Sequence, residues 1–227
     1  MRFSVVMPVY NGEKTIGNAI KSVLDQTYID WELVIVNDGS TDKTEDIVKQ
    51  FKDDRIKYFR FENNQGIVMA RNYGNKMATG EWLVMQDADD LSLPNRLEKV
   101  AGELVGDVVY HGLYMNVWDT QYGCISRKYI PAPVFNKERI LKEQYIPGVV
   151  FFKKSLWERR PFREETEHAF DWMMHVDWIM SDAKYHRIDE GLYEYVRHEN
   201  SASITYEKDG RRAESMGKIK EIIKTYA

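Results

Sequence analysis

The sequence predicts an α/β fold with a mainly parallel central sheet flanked by helices. In the first hundred residues, short apolar runs alternate with helical patterns, and polar clusters follow several of the apolar runs. Strands that alternate with helices are joined by right-handed crossovers, which make neighbouring strands parallel. Without internal repeats or a clear linker, the 227 residues predict a single domain, residues 1–227, with lobes at 1–98 and 99–227 that share one sheet.

The predicted elements of the first lobe follow from local hydrophobic periodicity. The apolar run from Phe3 to Val9 predicts a buried strand. Behind the capping residue Thr15, apolar residues recur at helical spacing from Ile16 to Leu24. The other predicted elements are strands at 32–37, 56–61 and 82–86, a helix around Ile47 and Val48, a helix at 67–77, and a helix with Pro94 at its first position.

Beyond residue 105 the pattern is less regular. Apolar runs predict strands at 108–116, 148–153 and 192–197, and helical periodicity predicts helices at 167–180 and 211–226. Pro131 and Pro133 indicate a loop.

Composition and charge exclude several classes of protein. With 43% hydrophobic and 30% charged residues, the chain is typical of folded globular proteins. The formal charge of −4 provides no basic surface for a phosphate backbone, so nucleic acid is not an expected partner. The single cysteine, Cys124, suits a reducing cytosol. We expect no signal peptide and no membrane span, hence a cytoplasmic location, with peripheral membrane contact left open.

Polar residues follow the predicted strands where parallel sheets bind ligands, beyond the carboxyl ends. Tyr10, Asn11 and Glu13 could flank a base or a ribose. Asp38 could accept hydrogen bonds from a nucleobase edge, or serve only as a turn residue. Arg71, on the third helix, could contact a nucleotide or hold a carboxylate through a bidentate pair, or form only a surface salt bridge.

The segment Asp87-Ala88-Asp89-Asp90 is the sharpest local signal for a metal site. Three carboxylates within four residues repel one another unless water or a cation neutralises them, and hard oxygen ligands suit Mg²⁺ or Mn²⁺ holding a diphosphate. The alternative is a solvated acidic turn before the next helix. His198, after the last strand, could complete the metal shell, or it could be an inert loop residue.

Asp171 is the candidate general base. It lies between Phe170 and Trp172, and apolar surroundings raise the proton affinity of a carboxylate and suit it to general-base work. The alternative is an exposed acid on an amphipathic helix. His168, Asp171 and His175 are spaced for one helical face, but no Glu or Cys completes a zinc site there.

Four segments resemble the motifs of family 2 glycosyltransferases, at the intervals that family shows. They are residues 4–13 (SVVMPVYNGE), 34–42 (VIVNDGSTD), 66–72, and 87–97, which contains DADD and LPNRL. The resemblance implies a GT-A fold, transfer with inversion at the anomeric carbon, and Mn²⁺ or Mg²⁺ as cofactor. It also implies roles for individual residues: Pro8, Tyr10, Glu13, Asp38 and Arg71 would hold the nucleotide, Asp87 would lie against ribose or diphosphate, and Asp89 would ligate the metal.

The second half resembles the family more loosely. Residues 148–154 resemble the strand after the family's glycine loop. Asp171 aligns with the catalytic base, but Phe170 stands where the family has a glutamate. Residues 195–203 are similar to the closing segment, whose histidine, here His198, lies near the metal.

The expected function is an inverting glycosyltransferase. It would move a sugar from a nucleotide-sugar, a UDP-sugar by family habit, to a hydroxyl of a polysaccharide or glycoconjugate. The alternative is a non-catalytic nucleotide- or carbohydrate-binding protein of the same fold. A nucleotidyltransferase would need a glycine-rich basic loop after the first strand, and a dinucleotide-dependent dehydrogenase would need a G-x-G-x-x-G turn; the sequence contains neither.

Overall fold

The computed structural model describes residues 3–119, 123–197 and 210–226. In chain order, the elements of the first half are β1 (Phe3–Val9), α1 (Ile16–Leu24), β2 (Trp31–Asn37), α2 (Thr44–Val48), β3 (Ile56–Arg60), α3 (Ile67–Met77), β4 (Trp82–Met85), β5 (Leu91–Ser92) and α4 (Arg96–Gly102). Helix α4 starts within the predicted first lobe and ends beyond it. The predicted helix at 67–77 is found with the predicted bounds, and the predicted strands agree to within one residue at each end. The two-residue strand β5 has no counterpart among the predictions.

The second half contains longer strands and shorter helices. Its elements are β6 (Val108–Asp119), β7 (Gly123–Ile130), α5 (Lys137–Ile140), β8 (Phe151–Lys153), α6 (Lys154–Arg159), a 3-10 helix (Glu164–Ala169), α7 (Phe170–Met180), β9 (Tyr185–Arg197) and α8 (Arg211–Lys224). Sequence periodicity missed β7 because most of its side chains are exposed, so it contains no buried apolar run. Within the described residues, no helix is long and apolar enough to cross a membrane.

Nine strands of the described chain form one sheet. Its order is β3-β2-β1-β4-β8-β6-β9-β5, and β7 pairs with β6 outside this path. Strands β1 to β4 pair in parallel with one another. Strand β8 is antiparallel to both β4 and β6, whereas β6 and β9 are parallel. The α/β fold is confirmed, and its sheet is parallel across the first half and mixed beyond it.

Helices cover both faces of the sheet, and each face buries its own hydrophobic core. Along β1, side chains alternate between the two faces, as the pleat of a strand requires. Val5 and Met7 pack with Ile20 of α1, and Val6 packs on the opposite face with Val68 of α3. Burial on both faces explains the nearly continuous apolar runs of β1 and β2.

Helix α4 begins later than the sequence predicts. Pro94 was expected at its first position, but the helix starts at Arg96 with Asn95 as the N-cap. The Pro94 carbonyl instead accepts a hydrogen bond of 2.9 Å from the Thr27 N–H, which ties this turn to the segment between α1 and β2.

The helix predicted at 167–180 is divided in two. Ala169 has φ −148°, so the chain leaves helical geometry between the 3-10 helix and α7. His168 therefore belongs to one helix and Asp171 and His175 to the next, and the predicted single face of these three residues is wrong.

Candidate active site

The polar segments that follow β1, β2 and β4 lie along one edge of the sheet. Strand β1 lies between the other two, with Val9 paired to Asn37 and Val6 paired to Met85. Because the three strands are parallel, their carboxyl ends point the same way. Residues 10–13, 38–42 and 86–90 are therefore neighbours, as the strand-end rule predicts.

Side-chain oxygens join the loop after β1 to the loop after β2. The backbone N–H groups of the first loop donate to side chains of the second loop and of α2, and N–H groups of the second loop donate back. The bonds are Asn11 N–H to Ser40 Oγ at 2.8 Å, Gly12 N–H to Thr44 Oγ1 at 2.8 Å, Glu13 N–H to Asp42 Oδ2 at 2.9 Å, and Lys43 N–H to Glu13 Oε2 at 3.1 Å. The two loops thus form one rigid rim of the site.

Two predicted nucleotide residues in and beside this rim, Tyr10 and Pro8, differ in exposure. Tyr10 is 51% exposed, which leaves its ring free to stack on a planar group. Pro8 is buried within β1 opposite Val36. Pro8 therefore lies behind the rim, where it packs rather than presents a surface.

Asp38 is more than a turn residue. Its carboxylate is 3% exposed and accepts the Gln65 N–H at 2.7 Å and the Gly66 N–H at 3.0 Å. Burial raises the pKa of Asp38, the two amide hydrogen bonds oppose that rise, and the nearby charge of Glu167 adds to it. Asp38 therefore anchors the loop that precedes α3, and its contact with a nucleobase stays a prediction.

Glu167 brings the second half of the chain into this part of the site. Its Oε1 accepts the Ile67 N–H at the start of α3, at 2.9 Å. Gly66 has φ +94°, and a Cβ there would overlap the Glu167 carboxylate. Only glycine satisfies both the backbone conformation and the close approach.

Arg71 is buried rather than on the surface, so the surface salt-bridge alternative is wrong. It is 3% exposed, its Nη2 pairs with Asp87 Oδ1, and its guanidinium carbon lies 5.1 Å from the Phe170 ring centroid. Its Nε and Nη1 are buried without a hydrogen-bond partner among the described residues. Buried donors without partners are rare in folded proteins, which makes these two nitrogens candidate ligand contacts.

The acidic segment concentrates negative charge. Burial raises the pKa of Asp87, the charges of Asp89 and Asp171 raise it further, and Arg71 lowers it. The pKa of Asp90 is also raised well above its usual value, by burial first and then by Asp89 and Asp87. Arg71, which pairs with Asp87, has its guanidinium carbon 5.1 Å from the ring centroid of Phe170, the neighbour of Asp171, so the two halves of the chain meet in one site.

The acidic segment fits part of a divalent metal site. Its crowded carboxylates are hard oxygen donors whose mutual repulsion a cation would relieve. Among residues 3–119, 123–197 and 210–226, no group of three His, Cys, Asp or Glu could hold a metal ion by itself. His198 and the rest of the predicted closing segment from 198 to 203 lie outside the described residues.

Strand β9 fixes the position of the acidic segment. Its Val196 N–H donates to Asp90 Oδ1 at 2.7 Å, and its Tyr193 hydroxyl accepts the Asp87 N–H at 3.0 Å. Asp90 thus ties the segment to β9.

A buried arginine supports the acidic segment from behind. Arg96 is fully buried and donates to His111 Nε2 at 3.0 Å and to Ser92 Oγ at 2.9 Å. Burial lowers the pKa of Arg96 to about 10, so the guanidinium stays charged at neutral pH and offsets the nearby carboxylates. Burial and that same charge lower the pKa of His111 to about 3, so the imidazole is neutral and accepts the bond.

Asp171 is half-buried in the first turn of α7. Its Oδ1 accepts the Trp172 N–H at 3.1 Å, and its Oδ2 accepts a hydrogen bond from Gln144 Nε2. A Cβ on Gly148 would lie 2.9 Å from Asp171 Cβ, so the backbone of residue 148 packs directly against the acid. The alternative of an acid on an exposed helix face is wrong, and the general-base role stays a prediction.

His175 is a core residue. Its Nδ1 lies 2.9 Å from the Tyr185 hydroxyl and its Nε2 3.4 Å from the Pro147 carbonyl. Burial lowers the pKa of His175 to about 4, so it is neutral. Its contacts are those of a satisfied buried imidazole and not of a zinc ligand.

Sequence reasoning missed the residues that hold the predicted ones in place. Glu167, Gln144 and Tyr193 each contact a predicted site residue or the loop beside it. They come from segments without a local motif, and their partners are 27 to 106 residues away along the chain. Only the three-dimensional pairing of the elements reveals them.

Comparisons with known proteins agree with this geometry. The family model described as Glycosyl transferase family 2 matches residues 4–165. The chain is 44% identical over 140 residues to the UDP-Glc:alpha-D-GlcNAc-diphosphoundecaprenol beta-1,3-glucosyltransferase WfgD of Escherichia coli, which is 61% of this chain and 54% of WfgD. It is also similar to the crystal structure of S. aureus TarS in complex with UDP-GlcNAc, with a TM-score of 0.74 and 25% identity.

That likeness covers 90% of this chain and 61% of the TarS chain. The mannosyltransferase PcManGT from Pyrobaculum calidifontis, in complex with GDP-Man and Mn²⁺, has a similar fold, with a TM-score of 0.67 and 18% identity over 95% of this chain and 63% of that one. The chain thus spans about half the length of WfgD and about three fifths of the two structures. Its fold is the GT-A type of these transferases.

Proposed function

Since the chain belongs to glycosyl transferase family 2, we propose that it moves a sugar, with inversion, from a UDP-sugar to a hydroxyl of a glycan or glycoconjugate. One observation carries the proposal: Arg71 pairs with Asp87 and lies against the ring of Phe170, the neighbour of Asp171, so the helix of the candidate base packs beside the acidic segment at the strand ends. WfgD is named for a UDP-Glc donor, and TarS was crystallised with UDP-GlcNAc, which supports the choice of a UDP-sugar.

In this proposal residues 1–98 bind the nucleotide and residues 99–227 bind the acceptor. The exposed Tyr10 ring stacks on the base, with Pro8 packed behind it, and Glu13 lies beside the ribose. Asp38 contacts the base edge while it holds the loop before α3. The Nε and Nη1 of Arg71, which have no partner among the described residues, donate to the nucleotide, and Asp87 lies against ribose or diphosphate.

The same proposal includes Mn²⁺ or Mg²⁺ as cofactor, as in the PcManGT complex. Asp89 would ligate the ion, with His198 as a further ligand from the closing segment. When bound, the ion supplies positive charge that offsets the charge developing on the departing diphosphate.

The proposed reaction is a single displacement in which Asp171 accepts the proton of the acceptor hydroxyl. The hydroxyl oxygen forms a bond to the anomeric carbon while the bond from that carbon to the diphosphate oxygen breaks. The diphosphate leaves with the bonding electron pair, and the proton stays on Asp171. Such general-base assistance typically contributes about 10²–10⁴ in rate.

A panel of nucleotide-sugars, with and without Mn²⁺, tests the proposal. We expect a UDP-sugar to raise the melting temperature, and we expect Mn²⁺-dependent release of UDP when an acceptor or water is present. Asp89→Ala should lose the metal-dependent part of UDP binding, as measured by calorimetry. A protein that binds UDP but releases none from any UDP-sugar, with any glycan acceptor, would be the non-catalytic binding protein instead.

A further inference from the structure

The carboxylate of Asp171 is held on both of its oxygens. Oδ1 accepts the N–H of Trp172 from its own helix, at 3.1 Å, and Oδ2 accepts the side-chain amide of Gln144. Gln144 lies between α5 and β8, outside the four motifs of the first half. With Gly148 packed against its Cβ, Asp171 has little freedom to rotate.

Arg212 determines which way the Gln144 amide points. Its Nη2 donates to Gln144 Oε1 at 2.5 Å. A guanidinium can only donate hydrogen bonds and a carboxylate can only accept them. The amide oxygen must therefore face Arg212 and the amide nitrogen must face Asp171, so the chain of bonds has a single polarity.

Helix α8 anchors Arg212. The arginine is the second residue of this helix, whose Ile219 is fully buried against the core of the second half. At the far end of α8, the Tyr226 hydroxyl donates to Asp177 Oδ1 at 2.6 Å, and Asp177 belongs to α7. Helix α8 is therefore fixed to the helix that carries Asp171, and Arg212 approaches Gln144 from a rigid base.

We propose that Gln144 is a positioning residue for the proton-accepting carboxylate, and that Arg212 holds Gln144 in its working orientation. This inference rests on the proposed transferase function. Gln144 and Trp172 each donate a hydrogen bond to one oxygen of the Asp171 carboxylate. The lone pairs that remain free on these oxygens are therefore held in fixed directions, where an incoming hydroxyl can meet them. A freely rotating carboxylate loses this alignment, and a misplacement of about 1 Å can cost about 10²-fold in rate.

Steady-state release of UDP from UDP-glucose or UDP-GlcNAc, with Mn²⁺ present, tests this role. Gln144→Ala and Arg212→Met should each lower kcat by about 10- to 100-fold. The KM of the UDP-sugar and the Kd of UDP should stay within about twofold, because neither residue contacts the nucleotide rim. The matched controls are Gln50→Ala and Lys220→Met, which change exposed residues of the same types or on the same helix and should leave kcat unchanged.

Rescue and coupling separate positioning from a general structural role. Arg212→Lys keeps a cationic donor and should recover part of the kcat that Arg212→Met loses. In the Gln144→Ala background, Arg212→Met should cost little more, because it acts through Gln144. Gln144→Glu should lower kcat as far as Gln144→Ala, since it sets a second carboxylate against Asp171. Should Gln144→Ala fold poorly, Gln144→Met keeps the size of the side chain and tests the same bond.

Three outcomes would overturn the inference. A Gln144→Ala kcat equal to wild type would remove the role, and a higher kcat would mean that the amide obstructs the base. Fully additive losses in the double variant would show that Arg212 does not act through Gln144. A wild-type protein that binds UDP and releases none overturns the proposed function and this inference together, whereas an active wild type with an unaffected Gln144→Ala overturns this inference alone.

Discussion

The two halves of the chain build their parts of the site in different ways. Up to residue 98, parallel strands end along one edge, and backbone amides hold the functional side chain, as Gln65 and Gly66 hold Asp38. In the second half the sheet is mixed, and a side chain from a distant loop, Gln144, holds Asp171.

This difference indicates which substitutions each half tolerates. Contacts made by backbone amides depend on the local path of the chain, so they tolerate exchange of a side chain wherever the backbone does not require glycine, as it does at Gly66. Contacts made by Gln144 and Arg212 depend on those particular side chains and on the docking of α8. Changes in the second half should therefore affect turnover while donor binding in the first half persists.

Asp171→Asn should produce the largest difference between an effect on turnover and an effect on UDP binding. The amide cannot accept a proton, so turnover should fall by about 10²–10⁴. The rim of Tyr10 and Asp38 is untouched, so the Kd of UDP should stay within about twofold. Steady-state UDP release and calorimetry measure the two quantities. Full turnover in this variant would show that Asp171 is not the base, and lost UDP binding would contradict the division between the halves.

The fold of the first half could be predicted because its signals are local. Strands buried on both faces are continuous apolar runs, and α3 has a helical pattern whose ends agree with the structure. In the second half, β7 is an exposed strand that pairs with β6 within the described part of the chain, and the division at Ala169 depends on tertiary packing. Neither leaves a hydrophobic pattern that a local reading can detect.

The sequence predicts those parts of the site whose position depends on where the parallel strands end. Asp38 and Asp87 could be located because parallel strands end at one edge. The acidic segment indicates a metal site, with Asp89 as the implied ligand, but no sequence pattern shows that Asp90 Oδ1 binds the Val196 N–H and ties the segment to β9. Glu167 and Gln144 could not be found, because nothing in the sequence pairs them with Ile67 or Asp171.

Gly66→Ala should produce the largest loss of stability at the junction of the halves. Alanine is strained at φ +94°, and its Cβ would displace Glu167 from the Ile67 N–H. Together these effects should lower the free energy of unfolding by about 2–4 kcal/mol. Chemical denaturation measures the loss. The matched control is Gly102→Ala at the end of α4, where an added Cβ meets nothing within 4 Å; equal effects of the two variants would contradict the close contact.

Loss of stability through histidine protonation at acid pH should arise in the second half, because all five histidines lie beyond residue 98. His175 is neutral when folded, with its pKa lowered by burial to about 4, and the unfolded chain takes up a proton below about pH 6.5. The stability it contributes is complete above pH 6.5 and is lost as the pH falls toward 4, at about 1.4 kcal/mol per pH unit.

His175→Gln removes this titration and retains groups that can bond Tyr185 and Pro147. The destabilisation it causes at pH 7 should therefore shrink by about 2 kcal/mol at pH 5, as measured by urea unfolding at both values. Tyr185→Phe is the control, because it removes the hydrogen bond and keeps the imidazole. A loss that is the same at both pH values in His175→Gln would contradict a buried neutral histidine.

Substitutions of Glu167 should have the smallest effects on the free energy of unfolding. They test the contact between the two halves of the chain. Glu167→Ala leaves the first N–H of α3 without its acceptor and should cost about 1 kcal/mol. Glu167→Gln retains an oxygen for the Ile67 N–H and removes the charge that acts on Asp38, so its cost should stay within about 0.5 kcal/mol. The free energies of unfolding of both variants, measured by chemical denaturation, distinguish the contribution of the hydrogen bond from that of the charge. Equal losses would mean that the stabilising contribution of Glu167 is its negative charge at the N-terminus of α3 rather than an oxygen that accepts the Ile67 N–H.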